Sequence, residues 1–351
     1  MSIIKSTSYQ IHIEERSFDA LNKFLTKTKY SKYIIICDEN TSEHCLSHLL
    51  FSCHLLTTAE IIELESGEKN KTIETCMQVW GALTDIEADK KSLIVNLGGG
   101  VISDLGGFVA STFKRGVDFI NIPTTLLAMV DASVGAKTGV DFEGIKNHIG
   151  TIYEPRGVFI NAVFLETLSK RQIINGYAEI IKIALIADAK LWHKIKTLKK
   201  YEAFYTEDII TKAIELKNNI VKKDLYEKAR RKSLNFGHSV GHAIESAFIH
   251  QKKDILHGEA IALGMLIESE IAHQQKLISK TELNSISNYL TTIFKNPSLS
   301  NQTKKLIVSF LKHDKKNQKE HLCFALPHSI GSYKLECGLT SEIVEKCLSR
   351  Y

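Results

Sequence analysis

Two histidines stand four residues apart in "NFGHSVGHAIESA", His238 and His242, on a pattern that reads as a helix. Imidazoles one helical turn apart can chelate a metal ion, yet the spacing alone leaves open whether both do. Counted from Lys217, the residues Asp224, Glu227, Arg231, Asn235, His238, His242 and Glu245 follow at steps of 7, 3, 4, 4, 3, 4 and 3, which predicts one helical stripe. A charged stripe is ordinarily a solvated face. Two histidines and an asparagine suit that role poorly. Gly237 and Gly241 leave room for close approach, and Leu216, Ile220, Leu234, Val240 and Ile244 supply an apolar side. Alternating acid, base and imidazole groups are better suited to lining a polar cleft.

Metalloproteases with H-x-x-x-H place Glu directly after the first histidine, whereas Ser239 follows His238 here, which argues against that chemistry. A third candidate ligand, His257 in "ILHGEAIALG", precedes an apolar helix, and Glu179 in "GYAEIIK" shares a helix with Lys182 about one turn on. A lone histidine is more often structural than ligating, so spacing leaves the ligand set undecided.

In the first half, "NLGGGVISDLGG" lies where a strand ends and a helix begins, so its N–H groups and helix dipole can face a pyrophosphate. It is not G-x-G-x-x-G, because Ser103 occupies the third glycine position. Asp38 and Asn40 end another apolar run and Thr124 and Thr125 a third, so polar groups gather at one edge of a sheet. The plainer alternative is that Asp38 and Thr124 cap the helices that follow.

Positioning these groups requires two kinds of architecture. "YIIICDEN", "SLIVNLGGG" and "VDFINIPTT" are short β-branched runs alternating with helical patterns, as in a parallel α/β sheet. From Glu166 onward "KRQIINGYAEIIKIALIADAKLWHKI", "TEDIITKAIELKNNIVKK" and "GEAIALGMLIESEIAHQQ" have helical spacing, with a β-like "LCFALP" before the last helix. The expected organisation is an α/β domain over 1–165 and a mainly α-helical domain over 166–351. A chain of 351 residues is long enough for both. Seven scattered cysteines with no C-x-x-C pair argue against disulfides or a cysteine zinc site. A net charge of +5 with interspersed signs is too mild to imply nucleic acid. No apolar run reaches the roughly 18 residues of a membrane span, and the N-terminus lacks a signal-peptide core, so a cytoplasmic protein is expected.

The segments "GGGVISDLGGFVAS", "KRG", "IPTTLLAMVDASVGAKTGVDFEGIKNHIG", "GYAEIIK", "LNFGHSVGHAIE" and "LHGEA" resemble, in order and spacing, those of the 3-dehydroquinate synthases, over essentially the whole chain. The resemblance implies an N-terminal Rossmann-like NAD-binding domain, a helical metal- and substrate-binding domain, an active site between them and a homodimer. It implies a lyase that turns a phosphorylated seven-carbon keto acid into 3-dehydroquinate and phosphate, using NAD and Zn2+, or Co2+.

By that resemblance zinc falls to Glu179, His238 and His257, and His242 is not a ligand. NAD falls to Asp38, Asn40, Glu68, Lys71, Gly99, Gly100, Val101, Asp104, Thr124, Thr125, Lys146 and the segment Phe164 to Thr167. Substrate falls to Asp131, Lys137, Asn147, Lys182, Lys217, Arg231, Asn235 and Lys315 (or Lys316), with Arg115 reaching the neighbouring subunit's substrate. His242, Glu227, Lys182 and Arg231 are the expected catalytic groups. The chain departs from the family pattern at Ala136, Ala229 and Arg230; alanine replaces glycine without cost only where φ is negative. Sibling cyclases making an inosose or valiolone, and metal-dependent polyol dehydrogenases, are the rival readings. A regulatory module that kept the fold would have lost catalytic groups, and none is lost.

Overall fold

The computed structural model describes residues 2–13, 17–143, 145–198, 200–295, 297–312 and 322–351. The chain forms two compact units, Met1–Ile173 with Tyr205–Asn218, and Ile174–Phe204 with Asn219–Tyr351.

The first unit is built on a seven-stranded sheet. Its strands are β1 (Ser2–Lys5), β2 (Gln10–Ile13), β3 (Tyr33–Asp38), β4 (Glu60–Leu64), β5 (Leu93–Gly98), β6 (Asp118–Pro123) and β9 (Gly157–Ile160), in the order β1-β2-β9-β6-β5-β3-β4. Only β1 and β2 pair antiparallel; the other pairs are parallel. Continuous apolar runs such as Ile34–Ile36 and Leu93–Val95 are what a parallel sheet covered on both faces requires, and all six of these residues are fully buried. Ile34, Ile36 and Ile94 join Val79 and Leu83 of the helix Ile73–Asp85 and Ile102, Leu105 and Val109 of the helix Gly100–Thr112 in one core.

A hairpin of β7 (Lys137–Phe142) and β8 (Ile145–Ile152), which the sequence patterns did not announce, packs near the latter helix. Contact there is close enough that a Cβ on Gly107 would stand 2.5 Å from Thr138 Cγ2. The sheet changes direction at β3, since β4 adds on one side of it and β5 on the other. The carboxyl ends of β3 and β5 thus form the topological switch point, the usual ligand crevice of such sheets.

Among the described residues the second unit is helical apart from the hairpin β10 (Leu322–Pro327) and β11 (Tyr333–Leu339), of which only β10 was expected. Its centre is the helix His257–Gln274, buried on nearly every face. Against it lies the helix His238–His250, and glycines permit the contact: a Cβ on Gly264 would come 2.1 Å from the Gly237 carbonyl oxygen. Two expectations need correction. The helical pattern from Lys170 to Ile195 is two helices, Lys170–Ala187 and Ala189–Ile195, because the Asp188 carboxylate accepts the N–H groups of Lys190 and Leu191 and starts a new helix. The stripe from Lys217 to Glu245 is not one helix either. It is a helix ending at Lys222, a turn, a 3-10 segment Arg230–Asn235 and the helix from His238. Asp224 makes the break by accepting the N–H groups of Lys228, Ala229 and Arg231. Among the described residues no helix is long and apolar enough to cross a membrane.

Candidate functional site

In the second unit, three elements bring imidazole and carboxylate groups together. The Nε2 atoms of His238 and His257 lie 3.4 and 3.5 Å from the same oxygen, Oε1 of Glu179. Donor atoms around a tetrahedral zinc at 2.0–2.1 Å stand about 3.3 Å apart, so this is the separation of a coordination shell. The Glu179 carboxylate is buried, so its charge must be met by the groups around it. His242 also belongs to the cluster, for ring nitrogens of His238, His242 and His257 lie within 4.8 Å of one another. A buried imidazole, a half-buried one and a buried carboxylate fit a divalent cation. The geometry by itself admits His242 as a further donor.

The orientation of each ring is fixed from behind. His238 Nδ1 is 3.1 Å from the Phe236 carbonyl oxygen; donation there leaves Nε2 as the lone pair facing Glu179. His257 Nδ1 is 3.5 Å from Glu245 Oε2. The backbone of His257 is held by Asn175, whose Oδ1 accepts the Gly258 N–H at 2.6 Å from one turn before Glu179 on the same helix. Lys182, one turn after Glu179, sets its ammonium against Glu179 Oε2.

The charges follow from these contacts. Burial opposes ionisation of Glu179, but Lys182 and His257 outweigh it and hold the carboxyl down at about 2. Burial likewise opposes protonation of His257, yet Glu179 and Glu245 raise it to about 9. His238 is driven well below the usual imidazole range by burial, reinforced by Lys182, His242 and His257. A lone pair on His238 is therefore available at neutral pH.

Nearby in sequence, Asn235 Nδ2 donates to Glu227 Oε1 at 2.7 Å, and Glu227 is in the left-handed region, φ 55°. Arg231 is buried and donates from Nη1 to the Leu225 carbonyl at 2.7 Å, whereas Arg230 beside it is exposed. The departure at Arg230 thus leaves Arg231 as the buried guanidinium.

The first unit gathers a different set. Asp38, Gly99 and Thr124 follow or end β3, β5 and β6, three adjacent strands, and all lie at their carboxyl ends. Gly99 offers no side-chain cap to the helix Gly100–Thr112, so its first N–H groups keep their capacity for an anion. The Thr124 hydroxyl is buried without a partner among the described residues. Asp38 does cap the short helix Glu39–Thr41, as the plainer reading held, while Thr125, not Thr124, accepts the Ala128 N–H.

A network stands beside this edge. Lys71 Nζ donates to Asp104 Oδ2 and to Asn147 Oδ1, both at 2.6 Å, and Lys146 Nζ is 3.2 Å from Glu68 Oε1. Burial lowers the proton affinity of Lys71, but Asp104 and Glu68 more than compensate and it is raised; burial raises Asp104 against the pull of Lys71. Lys217 Nζ reaches the Asp131 backbone oxygen at 2.6 Å and its carboxylate at 2.5 Å.

Other expected residues lie differently. Arg115 and Lys137 are exposed, Arg115 with φ 64°. The Phe164 ring is buried between Phe18 and His48, so the polar reach of its segment rests on backbone and on exposed Glu166 and Thr167. Asn40, Gly100 and Val101 follow their strands as expected. Lys315 and Lys316 lie outside the described residues.

Three residues escaped the sequence patterns. Asn175 was hidden inside an ordinary helical run. Asp141 accepts the Asn147 N–H at 2.7 Å and donates its own N–H to the Lys71 carbonyl. Glu268 is a fully buried acid on the largely buried helix His257–Gln274. A charge at an apolar helical position was the one signal available for it.

Two family models match the chain in succession. The family described as 3-dehydroquinate synthase N-terminal matches residues 61–175, and 3-dehydroquinate synthase C-terminal matches 176–317. A 3-dehydroquinate synthase of Parabacteroides distasonis is 37% identical over 333 residues, 94% of each chain. Among solved structures, a 2-deoxy-scyllo-inosose synthase complexed with carbaglucose-6-phosphate, NAD+ and Co2+ shares the fold with TM-score 0.88 at 23% identity, over 99% of both chains. A 2-epi-5-epi-valiolone synthase from Streptomyces hygroscopicus subsp. jinggangensis, with NAD+ and Zn2+ bound, aligns with TM-score 0.86 at 27% identity, over 100% of this chain and 98% of that one. Both family regions match in order, and with identity sustained along nearly the full length the chain belongs to the 3-dehydroquinate synthase family.

Proposed function

We propose that the protein converts 3-deoxy-D-arabino-heptulosonate 7-phosphate to 3-dehydroquinate and phosphate, a step of the shikimate route to aromatic amino acids. The observation that carries this is the convergence of His238 and His257 on Glu179, with Lys182 alongside, in a chain 37% identical to a synthase of that name. When bound, NAD+ would take and return one hydride, while a divalent cation held by Glu179, His238 and His257 would acidify a substrate hydroxyl.

The chain's own groups do the rest. The carboxyl edge of β3, β5 and β6, with Asp38, Gly99 to Val101, Asp104, Thr124 and Thr125, receives the dinucleotide, and Glu68, Lys71 and Lys146 fix its position. Lys182, Arg231, Lys217, Lys137, Asn147 and Asn235 hold an anionic, hydroxylated substrate, since cations and amides are the donors that phosphate and carboxylate require. His242 and Glu227 serve as proton carriers. The relatives named for inosose and valiolone formation share the fold at lower identity, so the synthase reading is preferred to theirs.

A coupled assay tests the proposal. Phosphate should be released from the heptulosonate phosphate, stop on chelation and resume with Zn2+, without net NADH. Steady NADH formation would point instead to a polyol dehydrogenase. The protein is further proposed to be a cytoplasmic homodimer in which Arg115 serves the partner's substrate. Co-refolded Arg115→Ala and Lys182→Ala chains should then recover activity that neither has alone.

A further inference from the structure

The helix His238–His250 begins without a cap of its own. Its N-cap residue is Gly237, at φ 77°, and a Cβ there would meet Met265 Cγ at 2.4 Å, so close packing forbids a serine or aspartate at that position. The first N–H groups of a helix must nevertheless be satisfied when buried. Glu268 meets that need from the neighbouring helix: one carboxylate oxygen accepts the Gly237 N–H at 2.6 Å, the other the Val240 N–H at 3.0 Å. The side chain is completely buried, and a carboxylate at a helix N-terminus is favoured by the dipole as well as by the two hydrogen bonds.

The two bonds straddle His238. Gly237 is also the link between His238 and Phe236, whose carbonyl receives His238 Nδ1. Any shift of Gly237 therefore moves the ring's anchor and its backbone together. Glu268 lies on the same helix as His257, so one rigid element carries a ligand and the group that fixes a second ligand.

We infer that Glu268 is a positioning residue for the metal centre, setting the ring of His238 through the backbone of Gly237 and Val240. The inference rests on the reading of Glu179, His238 and His257 as metal ligands. Glutamine at 268 keeps the shape but turns an amide NH2 toward one of the two N–H donors and removes the charge, so one hydrogen bond is lost.

The test measures Zn2+ affinity of metal-stripped protein by competition with a chromophoric chelator, for wild type, Glu268→Gln and His238→Ala. Thermal unfolding of the stripped proteins and NAD+ affinity are measured alongside. Glu268→Gln should bind Zn2+ roughly 10- to 100-fold more weakly. Its NAD+ affinity should be unchanged, and the Tm increment conferred by Zn2+ should shrink. If Glu268→Gln is not recovered folded, Glu268→Asp, which keeps the charge but retracts it by one methylene, takes the same measurement with the same expectation. Zinc affinity within twofold of wild type in a folded variant, with His238→Ala losing zinc, would overturn the role of Glu268 and leave the ligand reading standing. Retention of zinc by His238→Ala would overturn the ligand reading and this inference with it.

Discussion

Lys71 Nζ stands 2.6 Å from Asp104 Oδ2, with the two side chains only 4% and 19% exposed. Solvent screening is therefore weak and each charge depends on the other. Truncating one member of such a pair leaves the other desolvated and unpaired. Lys71→Ala is expected to destabilise the first unit by about 3 kcal/mol. Lys71→Met combined with Asp104→Leu should recover part of that loss, although neither variant should bind NAD+ normally. Urea denaturation followed through Trp80, in a Trp192→Phe background, reports the first unit separately. A loss below about 1 kcal/mol, the range of exposed ion pairs, would contradict the pairing.

Ala136 has φ 61°, so the condition under which alanine replaces glycine without cost is not met. At Ala229 it is met, with φ −143°. A Cβ in the left-handed region costs roughly 1 kcal/mol, partly offset because alanine restricts the unfolded chain. Ala136→Gly should consequently raise the Tm, by about 0.5 kcal/mol of added stability. A lower Tm would show that the methyl group, which is buried, contributes more by packing than it costs in backbone strain.

Much of this was readable in the residues, and the remainder failed for definable reasons. β3, β5 and β6 announced themselves because a parallel strand buried on both faces is apolar without interruption. β8 did not, since its burial alternates irregularly along a half-exposed hairpin. The polar stripe was legible as chemistry but not as geometry. Asp224 and Gly237 break the helix, yet Glu227, Asn235, His238 and His242 still fall in one unit. The supporting residues Asn175, Asp141 and Glu268 act through backbone N–H groups distant in sequence, and no spacing rule reaches them. Gly237 and Gly241 had read as room for close approach, and what approaches them is the neighbouring helix at Ile261, Gly264 and Met265.

The cysteines provide an independent check on the core. Burial pushes Cys37 and Cys347 to about 11 and Cys45, Cys53 and Cys76 to about 12, so the reactive thiolate is scarce at pH 8 and access is closed as well. Cys323 and Cys337 are only half-buried. Alkylation of native protein at pH 8, read by intact mass, should modify no more than these two thiols, and all seven after denaturation. Rapid labelling of any of the five buried cysteines in native protein would show that its unit opens readily.

The two histidines of "GHSVGH" are separated most directly by metal content. Their ring centroids are 5.1 Å apart and His242 is 5.8 Å from His257, so proximity alone would allow all three to share an ion. The difference lies in what stands behind and in front of each ring. His238 has the Phe236 carbonyl behind it and Glu179 before it, the arrangement of a ligand with a fixed tautomer. On the proposed reading Glu179, His238 and His257 supply three donors, and a fourth from the protein would close the position that substrate oxygens need. An imidazole at 242 that is not coordinated to the metal can instead carry a proton, which a coordinated one cannot. His238→Ala should thus lose most bound zinc and all turnover. His242→Ala should keep about one zinc per chain and still lose roughly 100-fold in kcat. Atomic emission on the two purified variants decides the matter: equal loss of zinc from both would make His242 a ligand and leave Glu227 as the remaining candidate for proton transfer.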